Sequence, residues 1–190
     1  MNLARSEAVA RLVEHDLDAL TASQRDSLLA DWWSIGAGDP GFDELPPALR
    51  QELARAEAPG GTDRALFDPL LRVALRARYV GTLTSFLERR LAVDFGISAR
   101  VVGSRERLQR CPCCGFHTLD ARGAYEICAA CFWEDDGGDR LDAHSGPNHM
   151  TLREAQANFA RLGAVHPDLL ARVVANPGER FASDPSGSDD

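Results

Sequence analysis

Cys111-Pro112-Cys113-Cys114-Gly115 and Cys128-Ala129-Ala130-Cys131 hold all five cysteines of the chain, with 13 residues between Cys114 and Cys128. Each Cys-x-x-Cys is a tight turn that presents two thiolates. A hairpin between the turns brings four thiolates together, the donor set of a closed, tetrahedral structural zinc site. The intervening segment is slightly shorter than in most zinc ribbons but close to them. The spacing therefore predicts one zinc held by Cys111, Cys114, Cys128 and Cys131. Cys113 is left over. It reads either as a knuckle residue outside the ligand set or as an alternative ligand or redox-sensitive thiol, because a nearby metal favours the thiolate.

Other cysteine chemistries fit less well. A disulfide framework calls for an even count and a secreted chain. This count is odd, and the opening Met1-Asn2-Leu3-Ala4-Arg5-Ser6-Glu7 contains no apolar signal core. A thioredoxin-like site needs a βαβ setting that the surrounding sequence lacks. A zinc deaminase needs His-x-Glu upstream of Pro-Cys-x-x-Cys. Here position 116 is Phe116, and the only upstream histidine, His15, is followed by Asp16-Leu17.

The 190 residues are 44% hydrophobic and 26% charged, in the range of one globular domain or a small domain plus a metal module. No apolar run is long enough to cross a bilayer, and reduced-looking cysteines without an export signal make the cytoplasm the expected compartment. All 21 basic residues are arginine, as the codon bias of a GC-rich bacterial genome would produce. Net charge is -8 and uneven: -6 over residues 1–61, +5 over 62–110 and -7 over 111–190. The cysteine-bearing segment is acidic, whereas nucleic-acid binders carry a basic footprint. The basic middle segment is expected to pair with the chain's own acidic segments.

Working outward toward the N-terminus, Val9, Leu12, Val13, Leu17 and Leu20 recur at helical steps over 4–20. A second helix is expected from Ser23, with Asp26 as the partner in a capping box, and carries Leu28, Leu29, Trp32 and Trp33. The Trp pair reads as a core anchor. Residues 36–47 form a loop. Pro47 opens a short helix to about Ala58, which Pro59-Gly60-Gly61 ends. A long periodic stretch from Thr62 to Ala92 is divided at Gly81. His15, between Glu14 and Asp16, is expected to be solvated.

Toward the C-terminus, Ser98–Val102 reads as a strand. Thr118-Leu119 and Tyr125-Glu126-Ile127 read as a hairpin around Arg122-Gly123. Glu134-Asp135-Asp136-Gly137-Gly138-Asp139 is an acidic turn. Thr151 and Glu154 form a capping box that opens a helix to Leu162. Pro167 is expected to open a final helix over Leu169, Leu170, Val173 and Val174. The fold class is α+β: an α-helical bundle over 1–95, a zinc-ribbon-like β-hairpin module with flanking helices over 96–175, and a disordered tail over 176–190. The two halves are expected to pack together, since 96–110 is too poor in Gly, Pro and Ser for a free linker.

The order of motifs in 110–162 resembles the bacterial cysteine-rich CPCC family: Cys-Pro-Cys-Cys-Gly-Phe-His-Thr-Leu, then Tyr-Glu-Ile-Cys-Ala-Ala-Cys-Phe-Trp-Glu-Asp-Asp-Gly, then Pro-Asn-His-Met-Thr-Leu. The resemblance covers under a third of the chain and implies a small zinc-binding domain of uncharacterised role. Ala129 stands where the family often has Pro. No family is recognised in residues 1–95.

Trp133, Asp135, Asp136, His144, Asn148 and His149 surround the motif and are candidate auxiliaries near the metal. On the simpler view Trp133 covers the cluster, the carboxylates shape a turn, and Asn148-His149 pins the start of the Thr151 helix. No nucleophile–base pair or phosphate loop is present. The expected function is therefore a non-enzymatic protein-interaction module, an adaptor or immunity-type protein, whose acidic surface suits a basic protein partner. Two alternatives stay open. One is a zinc-dependent hydrolase using His144, His149 and the acidic turn. The other is a nucleic-acid-binding protein using Arg72, Arg76, Arg89 and Arg90.

Overall fold

In the computed structural model, the described residues are 1–55 and 64–183. They form helices and short strand pairs, an α+β protein. The chain divides into two compact units. One comprises Met1–Val80 and Glu88–Val102, the other Gly81–Leu87 and Gly103–Asp190.

The first unit opens with a strand that the sequence does not announce, β1 (Asn2–Ala4), followed by α1 (Arg5–Ala19). Helical spacing turns Ala8, Leu12, Val13 and Leu17 of α1 inward. Next comes α2 (Ala22–Trp32). Its capping box is Thr21 with Gln24, not Ser23 with Asp26, because Thr21 already has the extended backbone an N-cap needs. Pro47 opens α3 (Pro47–Leu53), which stops short of the expected Ala58. The Pro59-Gly60-Gly61 stop and the Thr62 start lie outside the described residues.

The long periodic stretch is two helices, α4 (Arg64–Ala77) and α5 (Thr84–Phe95), separated by a turn at Gly81. Helix α4 packs on α1, α2 and α3. Strand β2 (Arg100–Val102), expected to begin the cysteine-rich module, runs parallel to β1 and groups with the first unit, with buried Leu3 opposite buried Val101.

Trp33 is buried, meets Phe67 edge-on at 5.9 Å and donates its indole N–H to the Arg55 carbonyl at 3.1 Å. Trp32 is half-buried. Several arginines of this unit meet its own carboxylates. Arg72 binds Glu14 through two bonds of 2.7 and 3.0 Å, and Arg76 binds Glu44 at 2.7 and 2.8 Å. Arg90 bridges Asp16 and Asp94 at 2.7 and 2.6 Å. His15 is less isolated than expected. Its Nδ1 lies 3.7 Å from Asp16 and 3.9 Å from Asp94, and its ring meets Phe95 edge-on.

The second unit contains β3 (Gln109–Arg110) antiparallel to β4 (His117–Leu119), and β5 (His144–Ser145) antiparallel to β6 (Met150–Thr151). Then come α6 (Leu152–Leu162), a 3₁₀ turn at Pro167–Leu169 and α7 (Pro177–Arg180). The Thr151–Glu154 capping box is present, and Gly163 closes α6 in the left-handed conformation.

The helix expected over 169–174 does not form. The Val174 N–H bonds to the Ala129 carbonyl at 3.1 Å, so this backbone is tied to the second cysteine turn rather than to its own helix. The disordered tail expected from 176 is also corrected for residues 176–183. They carry α7, Phe181 and Ala182 are buried, and the Ala182 carbonyl accepts from the His117 N–H at 2.9 Å. Residues 184–190 lie outside the described residues. The unit's core joins Leu119, Trp133, Leu152, Val165 and Phe181 to Cys111, Cys113, Cys128 and Cys131. Among the described residues, no helix is long and apolar enough to cross a membrane.

Candidate metal centre

Each Cys-x-x-Cys sits at the tip of its own hairpin. Strands β3 and β4 flank the first, residues 111–116. The second is flanked by 125–128 and 133–135, joined by a bridge between Ile127 and Glu134. The expected hairpin, 118–119 against 125–127, is therefore replaced by two hairpins closed by the cysteine turns themselves.

The two turns are built alike. The Gly115 N–H bonds to the Cys111 carbonyl at 3.0 Å, and the Phe132 N–H bonds to the Cys128 carbonyl at 2.8 Å. The Cys111 N–H bonds to the Phe116 carbonyl at 2.9 Å, and the Cys128 N–H bonds to the Trp133 carbonyl at 2.8 Å. The residue after the second cysteine is left-handed in both: Gly115 at φ 83° and Phe132 at φ 69°. Glycine adopts this region freely, whereas a residue with a Cβ adopts it at a cost. Phe132 is held there with Arg172 over its ring at 5.4 Å.

These turns bring Cys111, Cys114, Cys128 and Cys131 together with all four sulfurs within 4.8 Å of one another. Cys111 and Cys131 Sγ are 3.7 Å apart, and Cys114 and Cys128 Sγ are 3.6 Å apart. Four thiolates about 2.3 Å from a tetrahedral metal have sulfurs roughly 3.8 Å apart. The donor set and its size fit a metal ion. Cys111, Cys128 and Cys131 are fully buried and Cys114 partly so.

Electrostatics inside the cluster are uneven. Hydrogen bonds from Cys111, Cys114 and Cys131, and then from Thr118, hold the Cys128 thiol far below its ordinary range. The same network, Cys111 first, pushes the Cys114 and Cys131 thiols up. The Thr118 hydroxyl lies 2.9 Å from Cys128 Sγ, a contact that spacing arguments do not reach. Cys113 is buried beside the cluster and adds to the upward push on Cys131.

Of the candidate auxiliaries, Cys113, Asp135, Asp136, His144 and His149 stand outside the four-sulfur group. Trp133 is 1% exposed and belongs to the core around the cysteines. Asp135 is fully buried. Its Oδ2 accepts from Arg122 Nε at 2.8 Å and from the Gly123 N–H at 2.7 Å. Asp136 accepts from the Ser145 hydroxyl at 2.7 Å. The Asn148 side chain pairs with the Glu134 backbone like a strand, accepting its N–H at 2.9 Å and donating to its carbonyl at 2.8 Å. His144 and His149 are exposed, His144 in β5 and His149 in the turn before β6 at φ 54°. The sequence reading missed the Arg122–Asp135 pair. Its one signal was an arginine next to a glycine opposite an acidic run.

Residues 109–180 match the family model described as Cysteine-rich CPCC. No curated protein and no solved structure matches the chain.

Proposed function

We propose that this chain, with its cysteine-rich CPCC segment at 109–180, is a zinc-binding, non-enzymatic protein-interaction module of adaptor or immunity type. The observation that carries the reading is the convergence of four cysteine sulfurs within 4.8 Å. Zinc suits an all-thiolate tetrahedron, and four thiolates leave it no coordination position for water or substrate. The metal then serves the fold. It cross-links a hairpin whose strands are two and three residues long to one held by a single bridge, and so few strand residues cannot order themselves. The acidic character of residues 111–190 supports a basic protein partner, drawn in by charge.

The test is to purify the full chain without added metal and measure content and coordination. One zinc per chain with four sulfur neighbours by X-ray absorption is expected. His144→Ala and His149→Ala should keep the zinc and shift stability by about 1–2 kcal/mol at most. No turnover of esters, phosphoesters or peptides is expected. The reading is overturned by a metal bound through fewer than four sulfurs plus water, with hydrolysis that His149→Ala abolishes while the fold survives.

A further inference from the structure

We infer that the outward face of the second cysteine hairpin, formed by Tyr125, Ile127 and Glu134, docks a basic segment of a partner protein in which arginines alternate with apolar residues. This rests on the interaction-module reading and gives it a location.

The register defines the face. The Asp135 N–H bonds to the Glu126 carbonyl at 2.9 Å and the Cys128 N–H to the Trp133 carbonyl at 2.8 Å, which makes Ile127 and Glu134 a directly opposed pair. They are a pair without mutual hydrogen bonds, the type whose side chains stand closest. Alternation along the two arms then sends Cys128, Trp133 and Asp135 inward, where each is 1% exposed or less. It sends Ile127 outward, 50% exposed; two residues earlier Tyr125, where the backbone leaves the ladder at φ 60°, is 61% exposed. Two large apolar side chains thus stand in water beside a carboxylate, on the reverse side of a metal-ligand hairpin.

Tyr125 occupies this place against its backbone preference. Its φ is 60°, a region that glycine enters freely and a bulky residue does not. Phe132, another aromatic at positive φ, has Arg172 over its ring at 5.4 Å. Tyr125 instead turns its ring to solvent. The local frame imposes the conformation: the Tyr125 N–H bonds to the Asp135 carbonyl at 2.9 Å, and Asp135 is itself fixed by Arg122 and the Gly123 N–H. A preorganised, exposed aromatic ring is the usual anchor of a protein interface.

Charge selects the occupant. From Asp120 to Asp142 the sequence carries seven carboxylates and two arginines. Arg122 is engaged by Asp135 and Asp139 and Arg153 by Asp142, so Asp120, Glu126, Glu134 and Asp136 supply the remaining negative charge. An arginine-bearing segment meets Glu134 and the surrounding negative field, and the Tyr125 ring can take a guanidinium on its face. Because Cys128 belongs to the same hairpin, the face should exist only in the metal-loaded protein.

The probe is a fluorescein-labelled heptapeptide of alternating arginine and leucine, titrated into the zinc-loaded full chain and followed by anisotropy. A matched peptide with glutamate for arginine serves as control. Binding of the arginine peptide alone is expected, and it should disappear on chelation with EDTA. Tyr125→Gly should weaken binding at least tenfold while its melting temperature equals or exceeds that of wild type, since the backbone is relieved. Ile127→Ser should weaken it similarly, and Glu134→Gln should weaken it and flatten its salt dependence. Asp168→Asn removes an exposed acid elsewhere in the same unit and should change nothing. The inference is overturned if wild type binds neither peptide, if Tyr125→Gly binds as wild type does, or if Asp168→Asn is as damaging as Glu134→Gln. Binding that survives in Tyr125→Gly removes this face and leaves the interaction-module reading standing. That reading is decided separately by metal coordination and turnover.

Discussion

Replacing the Thr118 hydroxyl by a methyl group removes a hydrogen bond to Cys128 Sγ, one of the contacts that push this thiol below its ordinary range. Groups that support a metal ligand from behind typically contribute tenfold or more to affinity. Thr118→Val should therefore weaken zinc binding about tenfold, measured by competition with a chromogenic chelator. The ligands themselves are worth far more. Structural zinc contributes on the order of 10 kcal/mol to folding, so Cys128→Ser should lose the metal and leave the second unit unfolded. Cys113→Ser should keep the metal, since the four-sulfur group is complete without it. The same competition assay should show a pH dependence. Cys114 and Cys131 hold their protons strongly, and zinc must displace them. Affinity should accordingly rise with pH and fall on acidification, because these two thiols stay protonated in the metal-free protein. A flat profile would mean that the ligands are not thiols.

At the scale of elements, local rules placed most helices and misplaced their edges where a tertiary partner intervened. The heptad-like spacing of Leu12, Val13 and Leu17 is an intrinsic property of α1. The Trp anchor is divided unequally, which spacing alone leaves undecided. Trp33 is buried against Phe67 and bonded to Arg55, and Trp32 is only half-buried. Trp33→Ala should cost about 3–5 kcal/mol, and Trp32→Ala clearly less, in thermal melts of the two variants. Thr151 caps α6 through Glu154 and both of its hydrogen bonds are exposed, so Thr151→Ala should cost about 1 kcal/mol. Equal melting of the two Trp variants would show that the rings share the core evenly.

At the scale of the whole molecule, the metal should matter to one unit and not the other. The first unit has an apolar core of its own, with Leu12, Leu49, Leu70 and Leu71 fully buried. The second draws its core from the cysteines themselves. Chelation should therefore lower the melting of the second unit and expose Trp133, leaving helical circular dichroism from the first largely intact. Fluorescence of a Trp133→Phe variant, which reports only Trp32 and Trp33, should be insensitive to EDTA. A metal-dependent change there would show that the first unit also depends on zinc.

The four-cysteine cluster, the α+β class and the Thr151 cap were legible in the sequence because each depends on neighbours within a few positions: a Cys-x-x-Cys turn, a helical repeat, a hydroxyl three residues from a carboxylate. The partners across the fold were not. The pairing of β1 with β2 joins residues about a hundred positions apart, and Asp135 finds Arg122 only because two hairpins close side by side. Phe132 does the backbone work of a glycine, which no propensity announces. Residues 177–182 look like a polar tail until Phe181 has a core to enter. Short-range geometry is written in the spacing of residues. Which backbone donors and apolar surfaces remain free for a distant segment is decided only when the chain has closed on itself, and burial then rewards the pairings that satisfy both.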